Sequence, residues 1–279
     1  MDARAYLLER TPLVDSVLET SLPGAGEPPV QLHAAMRHLL FPGGKRLRPA
    51  LAMAAAEAVG GRCETALPMA AAVELIHGYS LVHDDLPCMD DDDERRGRPS
   101  VHVAFGEAVA VLAGDALQAA AFEVLSRESD GTPARNLAAV RDLAHAAGSA
   151  NLVGGQADDL AFDPVEVGLE AIESIHARKS AALITAAIVG GARLAGADAA
   201  LLERLRRFGE ALGVAFQIAD DLLDADETEP CSMVRALGPD AARARADALL
   251  EDALREVEVL GECAEPLRAL ARYAVVRSE

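Results

Sequence analysis

Two aspartate clusters, Asp84-Asp85-Leu86-Pro87-Cys88-Met89-Asp90 and Asp220-Asp221-Leu222-Leu223-Asp224, each close a long apolar stretch, and they lie about half the chain apart. In the second cluster Asp220 and Asp224 are four residues apart, so on a helix they project from one face with Asp221 beside them. Carboxylates that close repel one another unless cations bridge them. If both clusters serve one site, the fold must bring the ends of two distant helices together, as a helical bundle does. Oxygen-only ligation by few carboxylates suits Mg²⁺, which keeps several waters and completes its octahedron with substrate phosphates. The pattern points to a phosphorylated substrate clamped between two helices.

Helical periodicity or Ala-rich helical composition runs through almost the whole chain, and no alternating strand pattern of any length interrupts it. Apolar residues make up 51% of the 279 positions but aromatics only 3%, with no Trp. Alanine favours helix and lets helices approach closely. Turn signals at Pro42-Gly43-Gly44, Gly97-Arg98-Pro99, Asp163-Pro164, Gly196 and Gly238-Pro239 divide the chain into roughly ten or more helices. No connection has the length or polarity of an interdomain linker. The expectation is an all-α fold: a single large helical bundle over residues 1–279, around a deep central cavity with apolar walls and a charged mouth.

The formal charge, 26 cations against 45 anions or −19, argues against nucleic acid as a partner, because phosphate backbones demand a basic face. Cys63, Cys88, Cys231 and Cys263 lack CxxC spacing, so neither a zinc site nor a disulfide framework is signalled. Met1 to Arg10 has no signal-peptide core, and the longest uncharged apolar run, Ser180 to Ala192, is too short to span a bilayer. A cytoplasmic protein without a membrane span is expected.

Basic groups accompany the carboxylates. In Gly43-Gly44-Lys45-Arg46-Leu47-Arg48-Pro49, two flexible glycines precede Lys45 and Arg48, which are three apart and can face one ligand at a helix start. Arg95-Arg96-Gly97 follows the first cluster directly, placing guanidinium groups where they can bond a metal-held diphosphate. Lys179-Ser180 offers a further cation, and His77 lies one or two turns before Asp84. Taken singly, each has an ordinary reading: a solvated acidic loop, a basic helix start, a surface lysine, a hydrogen-bonded core histidine. Their combination carries more.

The ordered series GGKRLRP, ELIHGYSLVHDDLPCMDDDDERRGRPSVH (Glu74 to His102), LAGDALQ (Leu112 to Gln118), GGQADDL (Gly154 to Leu160), HARKSAAL (His176 to Leu183) and GVAFQIADDLLD (Gly213 to Asp224) closely resembles the trans-isoprenyl diphosphate synthases, the bacterial farnesyl diphosphate synthases in particular. The resemblance implies an isoprenoid-synthase bundle, usually homodimeric, that joins isopentenyl diphosphate to an allylic diphosphate with Mg²⁺ as cofactor, three ions in the substrate complex. By the same resemblance Asp84, Asp85 and Asp90 form a first catalytic motif and Asp220, Asp221 and Asp224 a second, with Asp84, Asp90 and Asp220 as direct metal ligands. Arg95, Lys179 and Gln217 match residues that hold the allylic diphosphate, with Ser180 beside Lys179. Lys45, Arg48, His77 and Arg96 match those that hold isopentenyl diphosphate. Ser80 and Tyr79, four and five residues before Asp84, match positions that limit chain length, and their pattern implies a product of about fifteen carbons.

The resemblance weakens after Asp224. The family continues with a glycine- and lysine-containing loop, whereas residues 225 to 235 here are short, hold no Lys, and carry Asp226, Glu227 and Glu229; Arg235 is the cation left to close over the site. Three alternatives follow: a weakly active or regulatory subunit of another synthase, a class I terpene cyclase, or a synthase of geranyl or geranylgeranyl diphosphate. The cyclase reading fits poorly with three Tyr, six Phe and no Trp, because cyclases use aromatic faces to stabilise cations.

Overall fold

The computed structural model describes residues 1–127, 132–162, 168–223 and 231–276. The architecture is all-α, in agreement with the periodicity. Fourteen α-helical segments occur among the described residues, more than the turn signals alone mark, because short helices such as α5 (Val101–Phe105) and α12 (Met233–Leu237) form within stretches that read as connections. Gly106 (φ 87°) and Gly238 (φ 81°) lie between each of these and the long helix that follows, in a backbone region that other residues avoid.

Alanine determines the packing. Helix α3 (Leu47–Ala58) and helix α10 (Ala182–Leu194) are buried along nearly their whole length. Together they form the partition between two apolar cores. One side of α3 offers Ala52, Met53 and Ala56 to a core shared with α2 (Val30–Leu40), α4 (Leu67–Asp84), α6 (Glu107–Ser126) and α7 (Pro133–Ala147). The other side offers Leu51, Ala54, Ala55 and Ala58 to a core shared with α11 (Ala199–Leu223), α13 (Pro239–Glu256) and α14 (Glu265–Val275). A Cβ on Gly191 of α10 would lie 2.1 Å from the carbonyl oxygen of Ala52. The two helices therefore touch backbone to backbone, and residues without long side chains make that distance reachable.

Residues 63–84 and 107–126 are long and apolar enough to cross a bilayer by length and composition. In the fold α4 is a core helix, buried from Met69 to Ile76. Helix α6 packs one side against α4 and leaves Val111 and Leu112 exposed, and Val103 of α5, a helix that packs on α6, is exposed as well.

The sequence shows no strand pattern, yet two strands of two residues each, β1 (Glu94–Arg95) and β2 (Arg98–Pro99), pair antiparallel. The turn residues Arg96 (φ 57°) and Gly97 (φ 73°) are both left-handed, as tight hairpin turns require. A two-residue strand is too short to show alternation, and this hairpin aims the residues that follow the first aspartate cluster.

Candidate active site

The site begins at the C-terminal end of α4. After Asp85 the chain folds back, so that the amide of Asp90 donates to the carbonyl of Asp84 at 2.9 Å and that of Asp91 to Leu86 at 3.2 Å. This turn brings Asp84 and Asp90 side by side. Burial pushes the Asp84 carboxyl up to about 7, with Lys179 opposing and Asp90 adding to the shift. A carboxyl held so far above its ordinary range is short of neighbouring positive charge.

Asp85 faces the other way. It is fully buried and accepts from Arg95 Nε at 2.8 Å. Arg95 also pairs with Asp92. Asp85 thus orients Arg95, and its carboxyl stays above the ordinary range because burial outweighs that pairing.

The second cluster divides similarly. Asp221 is buried, accepts from Gln217 Nε2 at 3.2 Å and from the Met233 amide at 2.8 Å, and lies 3.8 Å from His176 Nε2. It ties α11 to the segment that follows the second motif. Asp220 is half-buried on α11. Asp224 lies outside the described residues, as do residues 225–230 of the altered loop. Arg235 is exposed on α12.

Lys179 and Ser180 join the two clusters. They sit in a π-turn, Ala177–Ala181, between α9 (Leu169–His176) and α10. Such turns insert one residue into a helix and are frequent at functional sites. Lys179 Nζ is 2.6 Å from Asp159 Oδ2. Burial lowers its pKa, but Asp159, Asp84 and Asp90 together raise it further, so the ammonium is retained. Ser180 Oγ donates to Gln217 Oε1 at 2.6 Å. Through these contacts the π-turn links the first motif to the second at one acidic mouth, where, among the described residues, no three His, Cys, Asp or Glu side chains yet converge on a single metal position.

Lys45, Arg48, His77 and Arg96 converge elsewhere. They line a cavity of about 600 Å³ with Arg46, Glu74 and Phe216. Arg48 lies 3.4 Å from His77 Nε2 and 5.8 Å from the centre of the Phe216 ring. Burial and the positive charges of Arg48 and Arg96 hold the His77 imidazole well below its ordinary pKa, so it is neutral. The cavity presents cations and a neutral imidazole, a setting for an anion.

The glycines of the first basic motif act by absence of bulk. Gly43 and Gly44 are outside the positive-φ region, but a Cβ on Gly43 would lie 2.1 Å from Arg46 and one on Gly44 2.7 Å from Arg96. Each lets a guanidinium lie across the backbone. Flexibility, the expected role, is not what these positions show.

Ser80 lies on the Asp84 side of α4, and its Oγ donates to the His77 carbonyl at 3.0 Å. Tyr79 is turned towards α6, buried edge-on against His83 with ring centres 5.7 Å apart. His83 in turn approaches the Val111 carbonyl at 3.0 Å over Gly114, where a Cβ would collide with its ring. The LAGDALQ glycine is thus explained by the histidine it admits.

Sequence reasoning passed over Arg46, Asp159 and His176. Arg46 is buried and donates to Asp15 (2.9 Å), Glu74 (2.5 Å) and the Leu40 carbonyl (2.7 Å). It holds the basic loop against α4 with its neighbours Lys45 and Arg48 turned to the cavity. The signal for Asp159 was the Gly-Gly pair before it: a Cβ on Gly155 would lie 2.4 Å from the Lys179 amide nitrogen, so α8 (Leu152–Leu160) lies flush on the π-turn.

With this geometry in place, the comparisons with known proteins are decisive about family. Residues 29–265 match the polyprenyl synthetase family. The chain is 41% identical, over 99% of its length and 84% of the relative, to geranylgeranyl pyrophosphate synthase 7, chloroplastic, of Arabidopsis thaliana. It is 40% identical, over 98% of its length and 83% of the relative, to a dimethylallyltranstransferase of Fischerella ambigua. The crystal structure of an FPP/GFPP synthase from Zymomonas mobilis superposes with a TM-score of 0.90 at 40% identity, covering 98% of both chains. The chain belongs to the polyprenyl synthetase family and is a prenyltransferase.

Proposed function

We propose that this prenyltransferase condenses isopentenyl diphosphate with an allylic diphosphate in a Mg²⁺-dependent reaction, and that its main product is farnesyl diphosphate. The observation that carries the reading is the pairing of a carboxylate mouth with a separate cation-lined cavity. The first suits a diphosphate that arrives with metal, the second a diphosphate held by side chains alone.

Asp84, Asp90 and Asp220 would hold Mg²⁺, which when bound neutralises charge developing on the departing diphosphate. Arg95, oriented by Asp85, and Lys179 add cations aimed at the same group. Lys45, Arg48 and Arg96 hold the second diphosphate, and neutral His77 donates one hydrogen bond to it. Apolar residues of the surrounding helices keep water from the carbocation. The alkene of isopentenyl diphosphate attacks the allylic carbon, and the new cation loses a proton to the released diphosphate.

The fifteen-carbon reading rests on the Tyr79–Ser80 pattern before Asp84, with the Tyr79 ring a bulky group buried between α4 and α6 against His83. A second reading, geranylgeranyl diphosphate, is favoured by the names of the plant relatives. A homodimer through the outer side of α5 and α6 is part of the proposal, because Val103, Val111 and Leu112 form an exposed apolar face there.

The test is incubation of the purified chain with Mg²⁺, isopentenyl diphosphate and geranyl diphosphate, with product length read by mass spectrometry. A fifteen-carbon product is expected, lengthening in Tyr79→Ala. A twenty-carbon product from the unaltered chain would replace the farnesyl reading with the geranylgeranyl one. No product would remove catalysis by this chain alone and favour the subunit alternative.

A further inference from the structure

A second cavity, of about 350 Å³, lies on the outer side of α10 between α7 and α11. Ala146, Ala182, Ala186, Val189 and Val214 give it apolar walls. It shares no lining residue with the cation-lined cavity. Its size is at the lower end of the range for small-molecule sites.

Thr185 lines this groove and is 7% exposed, and its Oγ1 is buried with no hydrogen-bond partner among the described residues. A buried hydroxyl without a partner is unfavourable and calls for one. A Cβ on Gly209 would lie 2.9 Å from this oxygen, so the glycine of α11 keeps space open beside the hydroxyl. Around the rim Arg178 and Arg206 are balanced by Asp142 and Glu210. Three of these four already have ionic partners, in Asp158, Glu203 and Arg193. Balanced charge at the rim and apolar walls fit an uncharged ligand.

The groove shares one element with the reaction site. The π-turn contributes Ala177, Arg178 and Ala181 to the groove, while Lys179 and Ser180 of the same turn reach Asp159 and Gln217. We propose that this groove is a second small-molecule site, for a compact neutral molecule with an apolar body and one hydroxyl or carbonyl that pairs with Thr185, and that its occupancy is transmitted through the π-turn to Lys179. The binding half stands on the groove itself; the coupling half rests on the reading of the mouth as a diphosphate site.

The experiment uses the full chain with labelled valine methyl groups and cyclohexanol as probe, followed by NMR, with and without Mg²⁺ and inorganic pyrophosphate. Pyrophosphate binding is measured separately by calorimetry, so failure of the mouth is seen independently. Saturable shifts of the Val189 and Val214 methyl signals are expected, with binding at least about fivefold weaker in Thr185→Val. Val214→Phe, which fills the groove from its half-buried wall, should abolish the Val189 shift while pyrophosphate still binds. With pyrophosphate bound, cyclohexanol should still saturate, with an affinity changed at least about twofold, as reciprocity of linked sites requires. Absence of saturable shifts, equal affinity in Thr185→Val, or complete displacement by pyrophosphate would overturn the site. An unchanged affinity in the presence of bound pyrophosphate would overturn the coupling.

Discussion

The mouth and the cation-lined cavity are opposite solutions to one problem, the holding of a highly charged anion. At the mouth Asp84 and Asp90 face each other with Lys179 between α8 and the first motif, and the Asp84 carboxyl is pushed up to about 7. In the cavity Lys45, Arg48 and Arg96 converge on a histidine held neutral. One region is too negative and the other too positive to be at rest. The difference teaches that neither region balances its own charge: the mouth lacks positive charge and the cavity lacks negative charge, which is what the proposed metal-bound and bare diphosphates would supply.

The sharpest way to break this comparison is Asp84→Asn. If the mouth holds Mg²⁺, turnover should fall about 10²–10³-fold, the scale of losing one preorganised charge-stabilising group. The same substitution should stabilise the metal-free protein. The folded-state pKa of about 7 exceeds the ordinary 3.8, so the folded form binds the proton more tightly. Stability without divalent ions should therefore decline as pH rises from about 4 to 7 and be lowest above it. Thermal melts in chelator across that window should lose part of their slope in Asp84→Asn. A variant less stable than its parent at pH 8 in chelator would contradict the crowding of carboxylates on which the comparison rests.

A smaller effect separates the two regions along one hairpin. Arg95 turns to Asp85 and the mouth, and Arg96 to the cavity over Gly44. Arg95→Gln should raise the KM of the allylic diphosphate, or lower kcat, by about 10–100-fold, the worth of a charged hydrogen bond. Arg96→Gln should act by a similar factor on the KM of isopentenyl diphosphate alone. Equal effects of both variants on both substrates would merge the two regions into one.

The smallest effect tests the steric account of the glycines. Gly44→Ala places a Cβ 2.7 Å from the Arg96 guanidinium, the far end of a flexible chain. The expected result is a several-fold rise in the KM of isopentenyl diphosphate, with stability changed by less than about 1 kcal/mol. Steady-state kinetics and a thermal melt decide it.

The helical class, the two aspartate clusters and the basic motifs were legible because they depend on period and on residue type. The two sides of each cluster were separable only through the family resemblance, not from residue type. Asp84 and Asp85 are neighbours of identical chemistry, and only the fold-back of the loop and the depth of Asp85 make one face the mouth and the other face Arg95. Arg46 escaped for a related reason: among three basic residues nothing in the sequence marks the one with φ 51° and a buried guanidinium. The β1–β2 hairpin was too short for any periodic signal. The π-turn depends on a register shift that composition does not encode. Tyr79 was assigned with Ser80 to the positions that limit chain length, but five residues along a helix is 140° around it from Asp84, and its ring is found on the α6 side against His83.

The β1–β2 hairpin also has a consequence for how this enzyme can change. Two arginines that leave consecutive positions in opposite directions cannot be repositioned separately, because the left-handed turn at Arg96 and Gly97 fixes both. An insertion or deletion there would disturb both the mouth and the cation-lined cavity in a single step, whereas the apolar walls can vary one side chain at a time. Variation in product length should therefore accumulate along the helices, and the six residues from Glu94 to Pro99 should be inherited, or transplanted in design, as one indivisible cassette.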